Sequence, residues 1–118
     1  MTRIEVTNAL AGSTVAVKAR LLDQRRIAGI GNLLADEMLW RAGISPLVPA
    51  GSLRGIRLAR LRESIVGTVE QLIERGGSHL GDLAAHRLSG GRCPLDAAAL
   101  RHDVVGGRRT WWCPRHQR

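Results

Sequence analysis

The chain has 118 residues and contains neither Phe nor Tyr, so aliphatic side chains and three Trp must form its core. Hydrophobic residues make up 44% of the sequence, enough for a core of modest size. No apolar run is long enough to span a bilayer, and the first residues show no hydrophobic segment typical of a signal peptide. We therefore expect a monomeric cytoplasmic protein with no membrane partner.

Acidic residues are also scarce. The chain has 10 Asp and Glu against 18 Lys and Arg, and its formal net charge is +8. Lys18 is the sole lysine, so nearly all of the positive charge is carried by arginine. This imbalance, with an isoelectric point near 11.5, indicates a nucleic-acid partner or an acidic membrane surface. Since no membrane segment is present in the sequence, nucleic acid is the expected partner.

One segment indicates where such a partner would bind. Residues 21–46 read LLDQRRIAGIGNLLADEMLWRAGISP, in which a Gly-Ile-Gly-Asn turn opens directly into an apolar-periodic helix. Asn32 is the predicted N-cap of that helix. The backbone N–H groups at a helix N-terminus, together with an amide side chain, favour an anion. We therefore expect a phosphate of a nucleic acid to bind at Gly31 and Asn32.

The pattern predicts a mostly α-helical protein in three parts. Residues 1–17 are weakly patterned and are interpreted as a loose leader. Residues 18–88 form a helical domain, with one helix ending at Gly43 and a longer helix ending at Gly76. Residues 89–118 form a separate small unit. The apolar positions of the long helix recur at spacings of three and four: Leu58, Leu61, Ile65, Val69, Leu72 and Ile73.

The tail has the spacing of a metal site. It reads Cys93-Pro-Leu-Asp96, then sixteen residues, then Cys113-Pro-Arg-His116. Residues 104–112 between these pairs read as strand, Gly-Gly turn and strand. Two such knuckles on a hairpin can close a tetrahedral zinc site, and a unit this small needs a metal to fold. We predict one structural Zn²⁺ held by Cys93, Asp96, Cys113 and His116.

Two alternatives to this zinc site remain open. Cys93 and Cys113 could be reduced thiols or a disulfide, although a disulfide is disfavoured inside a cell. Asp96 is the least usual ligand of the four in a structural zinc site. His102 is the substitute if Asp96 does not bind.

Other conspicuous side chains are interpreted as structural. Asp36 and Glu37 point in different directions on a helix, and acidic groups in a first turn interact favourably with the helix dipole. Trp40 belongs to a helical apolar stripe and is assigned to the core. Of the adjacent strand residues Trp111 and Trp112, one must face away from the hairpin's interior, because strand side chains alternate.

The two motifs together identify a family. The segment at residues 21–46 resembles the helix–two-turns–helix signature of the formamidopyrimidine-DNA glycosylase/endonuclease VIII family of base-excision repair enzymes. The tail sequence VGGRRTWWCPRHQ is similar to that family's C-terminal zinc finger. The resemblance covers residues 18–118. The family's finger has four Cys, whereas Asp96 and His116 stand here at the second and fourth ligand positions.

The resemblance implies specific roles for three residues. Asn32 matches the family Asn that holds a phosphate beside the lesion, and Lys18 matches a basic residue that contacts phosphate. Arg108 matches the finger Arg that grips the phosphates flanking a damaged nucleotide. Gly31 precedes Asn32 in the turn. The implied partner is duplex DNA, damaged or abasic, which would make the protein nucleoid-associated in a bacterium.

The catalytic residues that the resemblance implies have no counterpart at the expected positions. The family's nucleophile is a Pro after the initiator Met, followed by Glu, whereas this sequence has Thr2 and Arg3. We therefore predict a DNA-binding protein with no catalytic residue of its own, to which a partner protein could supply a catalytic domain. The alternative is an active glycosylase/lyase that uses another amine, either Lys18 or the α-amino group that Thr2 gains if Met1 is removed. A further alternative is an RNA-binding or ribosome-associated protein.

Overall fold

A computed structural model describes residues 2–24 and 30–118 of the chain. Within these residues, the main helices and strands are α1 (Arg3–Leu10), α2 (Val17–Leu22), α3 (Asn32–Ala42), α4 (Gly55–Arg75), β1 (Arg101–Val105) and β2 (Arg108–Trp112). Short 3-10 turns occupy Ala50–Ser52, Ser78–Leu80 and Ala84–His86. The predicted fold class is therefore confirmed: the protein is mostly helical and ends in an antiparallel hairpin. None of the helices in these two ranges has the length and hydropathy needed to cross a bilayer.

The prediction of a loose leader over residues 1–17 is wrong for the residues that are described. Thr2 caps α1 by accepting the N–H of Glu5, while the Glu5 side chain accepts the N–H of Thr2. Val6 and Leu10 on this helix are fully or almost fully buried in the main core. The helix is too short for a clear periodicity, but the Thr-x-x-Glu capping box is a readable signal. The boundary predicted at residue 88 stays a prediction.

Helices α3 and α4 pack together and form the centre of the main core. Met38 and Leu39 of α3 and Leu61 and Ile65 of α4 are completely buried. Both helices end at a glycine in the left-handed conformation, Gly43 at φ 72° and Gly76 at φ 105°, as predicted. Ile73 departs from the predicted stripe, since 73% of it is exposed.

The start of α3 also differs from the prediction. The N-cap is Gly31, which has extended backbone and no side-chain cap, and Asn32 is the first residue of the helix. Gly29 of the predicted turn lies outside the described residues. The helix therefore begins one residue earlier than expected, and its first N–H groups are not satisfied by a capping side chain.

The hairpin turns at Gly106 and Gly107, whose φ values of 59° and 75° are both positive. A two-residue turn of this kind matches the twist of the strands but requires positive φ at both positions, which favours glycine. A side chain at Gly106 would also lie 3.2 Å from the Cα and Cβ of Ala19 in α2. The absence of a side chain therefore allows the tip of the hairpin to rest directly on α2.

Strand β2 is fastened to the helices by a buried carboxylate on α3. Asp36 is 1% exposed, and its Oδ1 forms an ion pair with Lys18 Nζ at 2.7 Å. Its Oδ2 accepts Arg87 Nε at 2.9 Å and the backbone N–H of Trp111 at 3.1 Å. Lys18 in turn donates to Thr110 Oγ1 at 2.7 Å and to the carbonyl of Arg109 at 3.0 Å. We call Asp36, Lys18 and Arg87 the carboxylate hub.

Removing the carboxylate of the hub should destabilise the protein strongly. We expect Asp36→Ala to lower the free energy of unfolding by about 3–5 kcal/mol, because the Lys18 and Arg87 charges would remain buried without their partner. Urea denaturation followed by circular dichroism measures this loss.

Asp82→Ala is the matched control, since Asp82 forms ion pairs with Arg75 and Arg41 but is half exposed. Exposed ion pairs contribute about 0–1 kcal/mol, so this variant should unfold almost like the parent. Equal losses in the two variants would contradict the account of the hub.

Candidate nucleic-acid interface and metal centre

A groove lies between the tip of the hairpin and the start of α3. Gly31 and Arg108 line it, together with Leu22, Gln24, Ile30 and Gly106, and its volume is about 530 Å³. The contact of Gly106 with α2 holds the hairpin tip over this groove. Two of the residues predicted to bind phosphate are thus brought to one site from positions 77 residues apart in the chain.

Arg108 is the exposed cation of the groove. Its side chain makes no hydrogen bond or ion pair with any residue in the described parts of the chain, although its charge is close enough to act on Lys18. An unpaired guanidinium offers a planar fork of N–H donors that matches a phosphate. Arg108 is therefore available to an anion, and its role as a phosphate contact stays a prediction.

Asn32 lies beside the groove and faces the hairpin. Its Nδ2 donates to the carbonyl of Arg109 at 3.0 Å, while its Oδ1 is buried and has no hydrogen-bond partner among residues 2–24 and 30–118. The side chain therefore ties the start of α3 to β2 and keeps one amide hydrogen for another acceptor. The N–H groups of the first turn of α3 open at the same place, where the helix dipole favours an anion.

Lys18 departs from the prediction that it contacts phosphate directly. It has no exposed surface, and its ammonium faces three oxygens, on Asp36, Arg109 and Thr110. Burial lowers the pKa of Lys18, and the adjacent Asp36 carboxylate opposes that shift. In this arrangement Lys18 positions strand β2 and has no free donor for a ligand.

The four predicted metal ligands come together at the other end of the hairpin. Ligand atoms of Cys93, Asp96, Cys113 and His116 all lie within 4.8 Å of one another. The Sγ of Cys113 is 3.3 Å from Asp96 Oδ2, and His116 Nδ1 is 3.2 Å from the same oxygen and 3.8 Å from Cys93 Sγ. Ligands bound ~2.0–2.3 Å from a tetrahedral zinc ion are separated from one another by roughly 3.3–3.8 Å. The cluster therefore has the spacing of a tetrahedral site.

Residues around the cluster orient these ligands. His116 Nε2 lies 3.0 Å from the carbonyl of Trp40 and can only donate to it, which leaves the lone pair of Nδ1 directed at the cluster. The indole N–H of Trp40 donates to Cys93 Sγ at 3.2 Å. Asp96 accepts the backbone N–H of Ala98, which is the main reason that its pKa is lowered to about 2. These contacts orient the imidazole of His116 and the sulfur of Cys93 toward the cluster and favour the charged form of the Asp96 carboxylate.

The pKa of the Cys113 thiol shifts in the opposite direction from that of Asp96, and burial is the cause. Burial raises the pKa of Cys113 to about 11, so the thiol holds its proton at neutral pH unless a cation displaces that proton. His102 is not an alternative ligand, because it stacks on Trp111 with ring centroids 4.6 Å apart and lies outside the cluster. Cys93 and Cys113 are free thiols and do not form a disulfide. The four side chains of Cys93, Asp96, Cys113 and His116 could therefore hold a metal ion.

The sequence does not predict two contacts that support the site, those of the Gln117 side chain and that between Asp36 and Arg87. Gln117 is 1% exposed, and its side chain accepts the N–H of Cys113 at 2.8 Å and donates to the carbonyl of Ile44 at 3.0 Å. These two hydrogen bonds link the second knuckle to the loop after α3.

Asp36 has a structural role, as the sequence predicts, but the physical reason differs. It neutralises the buried cations Lys18 and Arg87 and does not lie in the first turn, where it would interact with the helix dipole. No pattern in the sequence predicts the contact of Asp36 with Arg87 or that of Gln117 with Ile44, because the partners lie more than 50 residues apart.

Trp40 and Trp112 are buried, which confirms Trp40 as a core residue. Trp112 donates its indole N–H to Asp103 at 2.7 Å, whereas Trp111 is partly exposed on the other face of the hairpin. The predicted division of the two strand Trp residues is therefore confirmed.

Comparisons with known proteins give a consistent result. The formamidopyrimidine-DNA glycosylase H2TH domain family matches residues 1–83. The formamidopyrimidine-DNA glycosylase of Roseiflexus sp. is 40% identical over 123 residues, which cover 92% of this chain and 45% of the relative. That of Parasynechococcus marenigrum is 38% identical over 119 residues, covering 89% of this chain and 43% of the relative.

Solved structures are similar over almost the whole chain. The MutM (Fpg) protein of Thermus thermophilus superimposes with a TM-score of 0.83 at 34% identity, covering 98% of this chain and 50% of that protein. The Lactococcus lactis Fpg in complex with abasic-site DNA has the same TM-score at 29% identity, covering 98% and 48%. The chain spans about half the length of the relatives that it matches. By sequence and by fold, it belongs to the formamidopyrimidine-DNA glycosylase H2TH domain family.

Proposed function

We propose that the chain grips duplex DNA through its phosphate backbone, as the DNA-holding half of a base-excision repair glycosylase. The observation that carries this proposal is the exposed guanidinium of Arg108, which pairs with none of the described residues and lies in the same groove as Gly31 at the start of α3. A phosphate between them would accept charge-assisted hydrogen bonds from the Arg108 guanidinium on one side and hydrogen bonds from the N–H groups at the start of α3 on the other. The net charge of +8 would attract DNA over a longer range.

Two residues of the hub, Lys18 and Arg87, and the nearby Asn32 have a positioning role in this proposal. Lys18, Asn32 and Arg87 all donate to the carbonyl of Arg109, at 3.0, 3.0 and 3.3 Å. They hold the carbonyl of Arg109, the residue that directly follows Arg108, and so fix the backbone next to the Arg108 side chain. Contacts of this kind read phosphates and not bases, so we expect strong salt dependence and little sequence preference.

Loss of the groove cation should weaken DNA binding measurably. We expect Arg108→Ala to reduce affinity for an intact duplex by about 1–3 kcal/mol, because one charge-assisted contact is lost. In a plot of the logarithm of the binding constant against the logarithm of the salt concentration, the slope should become less steep by about one. Fluorescence anisotropy at several salt concentrations, with structured RNA as a competitor, measures both effects.

Arg60→Ala is the control, since Arg60 is an exposed arginine on α4 and the substitution changes the net charge equally. Its effect on binding should be small at all salt concentrations. If the two variants bind alike, the proposed phosphate grip is refuted. If RNA displaces the duplex at equal concentration, duplex DNA is not the preferred partner.

The proposed metal is one structural Zn²⁺ at Cys93, Asp96, Cys113 and His116. Two sulfur ligands with one nitrogen and one oxygen suit zinc, and their tetrahedral spacing leaves no ligand position open for catalysis. When bound, the ion would cross-link the two knuckles of a unit with a small core of its own. The knuckles in turn hold the base of the hairpin against Trp40.

Metal content and stability should depend on these ligands together. We expect about one zinc per chain by elemental analysis, and a lower midpoint of thermal unfolding after chelation. Cys113→Ser should lose the metal, whereas His102→Ala should keep it, because His102 lies outside the cluster. A parent protein that contains no zinc and is indifferent to chelator would exclude the ion.

We infer that these 118 residues do not excise a base by themselves, because neither candidate amine is placed for nucleophilic catalysis. Of the two alternative amines, Lys18 is fully buried and surrounded by oxygens. The nitrogen of Thr2 donates to Glu5 in the capping box of α1. Neither amine is positioned at the groove, and nucleophilic catalysis requires close placement at the reacting carbon. A catalytic domain supplied by a partner protein would act on the DNA that this chain holds.

Borohydride trapping on abasic-site DNA tests this inference directly, because reduction captures only a Schiff base. We expect the chain to bind the abasic duplex but to give at most slow trapping, and to leave a duplex containing 8-oxoguanine intact. Efficient trapping that Lys18→Arg abolishes would instead establish the lyase alternative.

A further inference from the structure

A second groove runs along helix α4 and shares no lining residue with the groove at Arg108. Its volume is about 720 Å³, and it extends along α4 from Ile56 to Gln71. The last turn of α3, at Arg41 and Ala42, also lines it. The start of α3, where a phosphate is proposed to bind, lies roughly 15 Å away along that helix. We call this depression the α4 groove.

The α4 groove has the length and the surface that suit a second helix. The stretch of α4 from Ile56 to Gln71 spans about 22 Å, which corresponds to four helical turns. Ala59 and Gly67 line the groove, and a Cβ built at Gly67 would meet no atom within 4 Å. Small side chains allow a neighbouring backbone to approach closely. Ile56 adds an apolar contact at one end, since 69% of it is exposed.

A buried hydroxyl at the α4 groove has no partner in the described parts of the chain. Thr68 lines the groove and is 1% exposed, and its Oγ1 makes no hydrogen bond within residues 2–24 and 30–118. By contrast, Ser64 one turn earlier donates to the carbonyl of Met38 at 2.7 Å. An unsatisfied buried hydroxyl costs free energy, which a polar group of a ligand would recover. Thr68 therefore indicates that another molecule completes the groove.

The charges along the α4 groove favour an acidic partner. Glu63 is neutralised by Arg3, whose guanidinium donates to Glu63 Oε2 at 3.0 Å. Arg41 is paired with Glu37 at 2.6 Å. Arg60 is exposed and forms no hydrogen bond or ion pair with any described residue. A carboxylate would thus be attracted to the groove, whereas a second copy of this chain, which also carries a net charge of +8, would be repelled.

From these features we propose that the α4 groove binds an amphipathic, acidic helix of another protein. The helix packs small apolar side chains against Ala59 and Gly67 and places a carboxylate on Arg60. Apolar anchors spaced three or four residues apart are the usual way in which a groove recognises a helix. This interaction goes beyond the proposed DNA binding and does not depend on it.

The probe is a display library of helices of about 16 residues, the length that spans the α4 groove. The library varies the apolar face and places either Glu or Lys at the flanking positions. We expect selection on the full chain to enrich helices with Glu flanks, whose affinities are then measured by fluorescence anisotropy. Enrichment of Lys flanks, or of no sequence at all, would overturn the proposal.

Two exposed isoleucines on α4 provide a matched pair of variants. Ile56 is 69% exposed and lines the groove, whereas Ile73 is 73% exposed and lies outside it. Ile56→Ala should weaken binding of an enriched helix by more than about 5-fold, because an apolar contact is truncated. Ile73→Ala should leave the affinity unchanged. Equal losses in the two variants would show that the helix binds elsewhere.

Two further variants alter the groove without disturbing the fold. Gly67→Leu should abolish helix binding by filling the groove, while thermal unfolding is unchanged or shifted upward, because leucine favours a helix more than glycine does. Thr68→Val keeps the side-chain shape but removes the hydroxyl, and should weaken binding by about 3-fold or more. Unchanged affinity in either folded variant would contradict the proposed contacts.

Arg60→Ala and Arg108→Ala separate this proposal from the phosphate grip. Arg60→Ala should weaken helix binding but not duplex binding, and Arg108→Ala should do the reverse. If the duplex binds and no helix does, the α4 groove proposal alone is wrong. If a helix binds and the duplex does not, the phosphate grip alone is wrong. A dimer in sedimentation that Ile56→Ala dissociates would mean that a second copy fills the groove, which also overturns the proposal.

Discussion

The buried ion pairs of Asp36 hold the candidate DNA-binding surface together. This carboxylate on α3 faces Lys18 from α2 and Arg87 from the segment after α4, and it accepts the backbone N–H of Trp111 in β2. Four separate parts of the chain thus meet at one side chain that is 1% exposed. A buried charge of this kind is costly unless its partners are correctly placed, so the hub favours one position of the hairpin over others.

The hairpin is fastened to α3 at two points. Near its tip, β2 is held by the hub, and at its base the metal-ligand cluster contacts Trp40, one turn further along the same helix. His116 donates to the carbonyl of Trp40, and the indole of Trp40 donates to Cys93. Gln117 adds a contact to the loop that follows α3. Between these fixed points the hairpin presents Arg108 to one side and Arg109 to the other.

Local features of this architecture can be predicted from the sequence. The ends of α3 and α4 at Gly43 and Gly76, the Gly-Gly turn of the hairpin and the clustering of the two pairs Cys93–Asp96 and Cys113–His116 all follow from short segments. Asp96 stands where a thiol is usual, but the two-residue spacing from Cys93 is sufficient to predict that it joins the cluster. These predictions succeed because left-handed turns and ligand spacing depend on a few neighbouring residues.

Features that depend on distant contacts cannot be predicted in this way. The sequence suggests that Lys18 reaches a phosphate, yet it is buried because Asp36 and the carbonyl of Arg109 surround its ammonium. Helix α1 resembles a leader in the sequence because a helix this short gives too little periodicity, although its burial against α4 and α2 makes it part of the core. In both cases the packing of segments far apart in the sequence determines the result.

The central claim is that the carboxylate hub positions the phosphate grip, and a double-mutant cycle on DNA affinity tests it most directly. The cycle combines Asp36→Asn, which nearly preserves side-chain shape but removes the charge, with Arg108→Ala. If the hub holds Arg108 in place, the loss of affinity from Arg108→Ala should be much smaller when Asp36 is already replaced. Strictly additive losses, in variants shown to be folded, would mean that the grip does not depend on the hub.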